Sequence, residues 1–243
     1  SYLGLTDADF ANNAQRRYGL SALDNISTEH TQVMLNYAFE INKDLHFTTV
    51  AYNNTHERDW FKTEGIDLDG SENAQDFSRT SWSDVVNAIN SNEAIGDTSV
   101  AMLQGILDGS VNTEVGSIQL RSNSREYYSR GIQFGLNWNK QLGEAKHHIE
   151  MGVRLHEDEE DRLQRNSTYQ QVDGQLLLSD LGELGNAGNR VQDADALALH
   201  VYDRIELGDW VFTPGLRFED ISQSRTRYTN GAERVFRDDR END

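Results

Sequence analysis

The sequence predicts an all-β fold. It reads as an antiparallel, up-and-down transmembrane β-barrel segment, about six strands of a larger barrel, with long extracellular loops containing short helices. Three observations predict it. The stretch from Gly131 to Leu155 alternates apolar and polar residues on both arms of a hairpin; short and long connections alternate along the chain; and aromatic side chains crowd the short-turn ends of the strands. Successive side chains of a strand point to opposite faces, so this alternation gives one greasy face and one polar face. A soluble sheet with one buried face has the same period. A polar face of Gln, Asn, Glu and Arg, with an indole beside the turn, matches a barrel wall around a water-filled lumen.

In chain order, Thr6 lies three residues before Asp9, a capping pattern for a helix through about Gln15. From Thr31, the residues Val33, Leu35, Tyr37, Phe39 and Ile41 alternate with Gln32, Met34, Asn36, Ala38 and Glu40. Asn42, Lys43 and Asp44 then form a tight turn, as Asn and Asp favour. A second strand runs from Leu45 to about Phe61, its parity open because Leu45, Phe47 and Ala51 compete with Val50 and Tyr52. The polar connection that follows reaches roughly fifty residues before Ile118. Within it, Ser83 and Asp84 precede a short helical pattern of Val85, Val86 and Ile89. Thr98 caps a second helix with Val100, Leu103 and Leu107 on one face and Gly109 as its stop.

The third and fourth strands are the arms of the Gly131–Leu155 hairpin. Ile132, Phe134, Leu136 and Trp138 share the apolar face with Ile149, Met151, Val153 and Leu155, across a polar turn from Lys140 to Lys146. A last hairpin pairs Asp193 to Ile205 with Trp210 to Ile221 through Glu206, Leu207, Gly208 and Asp209. Phe39, Phe47, Trp138, Trp210 and Phe212 sit near the short turns, as an interfacial aromatic girdle on the periplasmic side requires.

Composition narrows the function. The chain has 243 residues, a net charge of −19, one proline and no cysteine. Its mean hydropathy is −0.72. No run approaches the roughly 20 apolar residues of a membrane-spanning helix, which leaves barrel strands untouched because only alternate residues meet lipid. The absence of cysteine removes disulfide scaffolds and thiolate chemistry. A strongly acidic chain has no basic surplus for phosphates, so nucleic acid is not an expected partner.

Three stretches carry a family resemblance. The opening Tyr2-Leu3-Gly4-Leu5-Thr6-Asp7-Ala8-Asp9-Phe10, with Arg16-Arg17-Tyr18, resembles a loop of TonB-dependent receptors of the ferric-dicitrate transporter type. Asn123 to Gln133 is similar to the strand start those receptors write as N-x-R-x-Y-x-S-x-G-x-Q, and Pro214 to Glu219 to their P-G-x-R-x-E strand. The resemblance implies an outer-membrane uptake receptor: a 22-stranded barrel closed by a plug, moving a ferric chelate with energy relayed by TonB. Residues 1–243 then form a partial barrel domain, expected to begin in one extracellular loop and end in another at Arg240 to Asp243. The plug and the other barrel strands are expected outside it. Six strands do not close a barrel, and open edges in lipid leave backbone groups unsatisfied.

Strand parity then names candidate ligand groups. With Ile132, Phe134, Leu136 and Trp138 on lipid, the residues Arg121, Asn123, Arg125, Tyr127, Ser129 and Gln133 face the lumen. Arg154 and Arg217 fall on the same side. A ferric–carboxylate complex is anionic, and Arg binds carboxylates through forked, charge-assisted bonds. The proposed ligand contacts are therefore Arg121, Arg125, Tyr127, Gln133 and Arg154. The competing reading has these arginines pairing with wall carboxylates such as Glu150 or Glu219.

No catalytic, cofactor or metal assignment is made. The acidic run Glu157 to Asp161 reads as a solvated face, and Asp67-Leu68-Asp69-Gly70 lacks the spacing of a calcium loop. His148 and His156 share a face but stand roughly 25 Å apart on an extended strand. Expected partners are the chelate, the TonB system through the plug, and outer-membrane lipid with lipopolysaccharide. A soluble, secreted β-rich carbohydrate-binding or adhesin module is the alternative, with the greasy face as an ordinary core.

Overall fold

The computed structural model describes residues 3–70, 79–229, 231 and 233–242. Seven strands lie side by side in one antiparallel sheet in the order β1 (Asn25–Asn42), β2 (Leu45–Ile66), β4 (Ile118–Leu142), β5 (Ala145–Val172), β7 (Gly188–Leu207), β9 (Gly215–Tyr228) and β10 (Phe236–Asn242). Three short strands attach to it: β3 (Thr80–Ser81) on β2, β6 (Gln175–Asp180) on β5 and β8 (Trp210–Phe212) on β7. The three expected hairpins are present. Their turns are tighter than the sequence implies, two residues each between β1 and β2, β4 and β5, and β7 and β8, with Gly143 and Gly208 at positive φ where a side chain would strain the backbone.

Register turns period-two patterns into continuous bands. Phe39, Phe47, Leu136, Met151, Val201 and Leu216 oppose one another strand to strand in one row. The next row holds Tyr37, Thr49, Phe134, Val153, Leu199 and Phe218, and the one above it Leu35, Ala51, Ile132, Leu155 and Leu197. The parity of β2 is thereby decided: Phe47 and Ala51 join the greasy face, while Val50 and Tyr52 face the other way. Among the described residues nothing covers this face: Phe39 is 52% and Leu216 74% exposed. A contiguous exposed apolar band is the signature of a lipid-facing wall, so the greasy face is not the ordinary core that the soluble alternative requires. From Val33 to Ile41 the band rises about 21 Å for strands tilted near 40°, close to the apolar height of outer-membrane barrels. Near the tight turns stand Trp138, with Lys140 over its ring, and Trp210 stacked on Phe212 at 6.2 Å.

Three features differ from expectation. The strands run far beyond the membrane: β4 has 25 residues and β5 has 28. The acidic run Glu157 to Asp161 is consequently strand, not loop. Above the lipid neither face meets hydrocarbon, and even the buried tip of β5 carries polar residues such as Gln164, Asn166 and Thr168, so no hydrophobic alternation marks most of these extensions. For the same reason β10, charged on both faces, lies where the sequence reading placed a loop. Finally, the expected Trp210–Ile221 strand is broken into β8 and β9 at Pro214. Its nitrogen cannot donate to the ladder, while its carbonyl still accepts from the Asp203 N–H at 3.0 Å.

The buried core lies in the loops. Helices α1 (Asp7–Asn12), α2 (Trp82–Ser91) and α3 (Val100–Asp108) fall where capping patterns pointed, with shifts of a few residues. Thr6 caps α1, which stops at Asn12 instead of Gln15; Ser81 and Ser99 cap the others, and Gly109 closes α3 at φ 86°. Leu20, Trp82, Val85, Leu103 and Leu107 pack against Ile66, Ile118, Leu120 and Tyr169 of the strand tips. Ile118 and Leu120 share parity with Ile132 and Leu136, so the cap rests on the outward face above the membrane. Trp82 Nε1 donates to Thr63 Oγ1 at 2.7 Å, and buried Gln171 donates to the carbonyls of Ile106 and Val111 at 2.9 Å. These bonds satisfy polar groups the packing would otherwise strand.

Candidate ligand-binding wall

The face opposite the greasy band is polar from the tight turns to the strand tips, and the expected site residues occupy it at two heights. Lower down, Gln133 opposes Val50 on one side and Arg154 on the other. Arg154 donates through Nε and Nη2 to Tyr52 Oη at 3.1 and 2.8 Å. Tyr52 reaches it from two strands away because Gly131, between them, has no side chain: a Cβ there would lie 2.5 Å from the tyrosine hydroxyl oxygen. The same hydroxyl meets His156 Nδ1 at 2.6 Å, and His156 Nε2 meets Asp158 at 3.1 Å. Arg154 is therefore engaged within the wall.

Higher up, Arg121, Arg125 and Tyr127 follow along β4. Arg121 donates to Asn166 Oδ1 at 2.8 Å and lies 3.6 Å from Glu64. Burial lowers its pKa; Glu64 opposes that shift and Arg162 adds to it. Arg125 donates to Asn123 at 3.2 Å and to Tyr127 Oη at 3.3 Å, and lies 3.4 Å from Glu160. Tyr127 stacks on His56, with ring centroids 5.7 Å apart. Six residues of extended chain, roughly 20 Å, separate Tyr127 from Gln133. The structure thus joins Arg125 to Tyr127 and sets Gln133 beside Arg154, but the five do not form one pocket.

Pairing with wall carboxylates is realised in places. Arg217 is held by Glu219, whereas Glu150 takes Tyr202 Oη at 2.8 Å and His200 Nε2 at 3.5 Å. The sequence reading missed a set that only register reveals. Arg58 opposes Arg125, Arg125 opposes Arg162, Arg162 opposes Arg190, and Arg190 opposes Arg227, all on the lumen face. Parity along each strand is readable in advance; register across long loops is not.

At this height the outward face has the opposite sign. Glu57, Glu126 and Asp161 stand in one row, Glu159 opposes Asp193, and Glu157 lies between Arg130 and Asp195. Burial, with the charges of Asp161, Asp193 and Glu157, raises the Glu159 pKa. The hydrogen bond to Glu157 pushes the Tyr128 phenol up to about 12. Above the membrane the wall is thus basic toward the lumen and acidic toward the outside, although the chain as a whole is strongly acidic.

Comparison with known proteins matches this geometry. The ferric citrate transporter FecA in its unliganded form superposes with a TM-score of 0.62 at 16% identity, covering 98% of this chain and 27% of FecA. The siderophore receptor PiuA from Acinetobacter baumannii gives 0.56 at 10% identity over 90% of this chain and 29% of its own. The ferric-catecholate import receptor Fiu from E. coli K12, in its closed form, gives 0.54 at 12% identity over 99% and 33%. At these identities the likeness speaks to the fold, and the chain spans a third or less of each receptor's length. No curated protein matches the sequence. A family profile described as TonB dependent receptor-like, beta-barrel, matches residues 1–243. The chain belongs to the TonB-dependent receptor β-barrel family of the bacterial outer membrane.

Proposed function

We propose that this chain supplies wall and extracellular loops to a TonB-energised uptake receptor for a ferric chelate, of the ferric-dicitrate transporter type. The observation that carries the reading is the sign of the lumen face near the mouth. There Arg121 and Arg125 stand among further arginines, with Tyr127 beside them, on a chain whose overall charge is −19. A cleft of one sign between low-dielectric walls concentrates ligands of the opposite sign, and an anionic chelate suits this one. In this reading Arg121, Arg125 and Tyr127 contact the chelate on arrival, and Gln133 and Arg154 line its path below. TonB acts through a plug, and the apolar rows and the polar belt above them face lipid and lipopolysaccharide. The test is equilibrium binding of ferric citrate to the full-length receptor and to its Arg121→Ala, Arg125→Ala variant. Weaker binding is expected; unchanged affinity refutes the assignment.

A further inference from the structure

The row Arg58–Arg125–Arg162–Arg190–Arg227 places one arginine from each of five adjacent strands in direct cross-strand register. Like charges directly opposite one another destabilise a sheet, so the row is not explained by wall stability. Compensation is sparse among the described residues. Glu160 takes Arg162 at 2.7 Å and lies 3.4 Å from Arg125, and Asp238 takes Arg227 at 2.6 Å. The Nε atoms of Arg58 and Arg190, and that of Arg225 one row below, are buried and have no hydrogen-bond partner among the described residues. Burial and the neighbouring Arg162, Arg225 and Arg125 lower the pKa of Arg190, against the single pull of Glu160. These Nε–H groups are donors held in place with no acceptor among the described residues.

We infer that the row is a selectivity element for polyanionic ligands, chelates that present several free carboxylate-type oxygens across their width. This rests on the uptake reading above and adds the class of chelate. Neighbouring strands are about 4.8 Å apart, so the row spans roughly 19 Å. A small monoanion satisfies one guanidinium fork and leaves the others bare, whereas a ligand with anionic groups on several sides meets several forks at once. A neutral chelate leaves buried N–H donors unpaired, and sites built to hydrogen-bond a ligand reject analogues that cannot answer them. The acidic outward face repels the same anions, which favours the lumen over the outer surface.

The test uses the full-length receptor carrying Arg58→Gln with Arg190→Gln, neither of them among the contacts assigned above. The probes are ferric citrate and a neutral ferric trihydroxamate. The double variant is expected to bind ferric citrate roughly tenfold to a hundredfold more weakly, the loss of one to two charge-assisted contacts, and with a shallower salt dependence. Its denaturation midpoint is expected to equal or exceed that of the parent, because repulsion has been removed. Parental affinity for ferric citrate, or tighter binding of the trihydroxamate than of ferric citrate by the parent, overturns the inference. Uptake of the trihydroxamate would then leave the receptor reading standing without the row. Binding of iron-free citrate that depends on Arg58 and Arg190, with no ferric chelate transported, would keep the row and remove the uptake reading.

Discussion

Gly131→Ala is the smallest change that tests how the lumen face is built. The added methyl group would lie 2.5 Å from Tyr52 Oη and 2.5 Å from the Leu155 carbonyl oxygen. The tyrosine can swing aside only by giving up its bond to His156 at 2.6 Å and the two from Arg154 at 3.1 and 2.8 Å. The Leu155 carbonyl belongs to the neighbouring strand and has no such freedom. Overpacking costs about 1–3 kcal/mol and a lost hydrogen bond about 1 kcal/mol, more where a charge is involved. Together these give about 2–5 kcal/mol of destabilisation. The assay is the denaturant midpoint of the full-length receptor in lipid vesicles, with Tyr52→Phe and the double variant completing a cycle. Tyr52→Phe alone is expected to cost about 1–2 kcal/mol, since the ring remains over the glycine. The two changes should be sub-additive by about 1 kcal/mol or more, because one hydroxyl is both the clash and the bond. A neutral Gly131→Ala, or strict additivity, would refute the claim that Tyr52 crosses the wall through the space at Gly131.

Two further predictions address the loops and the outward face. Trp82→Phe removes the indole donor from buried Thr63, and about 1–2 kcal/mol of local stability with it. Amide exchange should quicken in 82–91 and 100–108 and stay unchanged in 132–142; equal protection throughout would show that the cap does not depend on that bond. Glu159→Gln should stabilise the receptor at neutral pH. Burial and the charges of Asp161, Asp193 and Glu157 raise this carboxyl's pKa on folding, so its contribution is most favourable below the ordinary value of 4.5 and is lost as pH rises through the raised one. The advantage of glutamine should therefore shrink as pH falls below that window in melting curves recorded from pH 4 to 8, and a constant difference would contradict the assignment.

Much of the membrane-embedded wall was legible in the sequence because lipid imposes a strict rule. Ile132, Phe134, Leu136 and Trp138 have to be apolar where they face hydrocarbon, and the lumen-facing alternates do not, so period two survives there. Pro214 did not mark a break in advance: the expected strand runs through it from Trp210 to Ile221, and the structure divides that strand into β8 and β9. Above the membrane that rule lapses. Away from hydrocarbon, polar residues are tolerable on either face, as Arg162 beside Leu163 and the buried Asn166 and Thr168 show, which hid the upper half of β5 and the whole of β10. Gly131 was readable as an outward–inward alternate, but not as the gap through which Tyr52 reaches His156, because that contact spans three strands. The candidate arginines on β4 followed from parity alone. Arg58, Arg190 and Arg227 required the register between strands joined by long loops, and no local pattern encodes it.

The central claim is that the lumen face near the mouth receives an anionic ferric chelate through Arg121 and Arg125. Equilibrium binding of ferric citrate to the full-length receptor, measured beside the Arg121→Ala, Arg125→Ala variant at fixed ionic strength, tests it most directly. One lost charge-assisted contact at about 1.5 kcal/mol already weakens binding about tenfold, so the variant is expected to bind at least tenfold more weakly. Equal affinity in a variant that still folds and inserts would contradict the account.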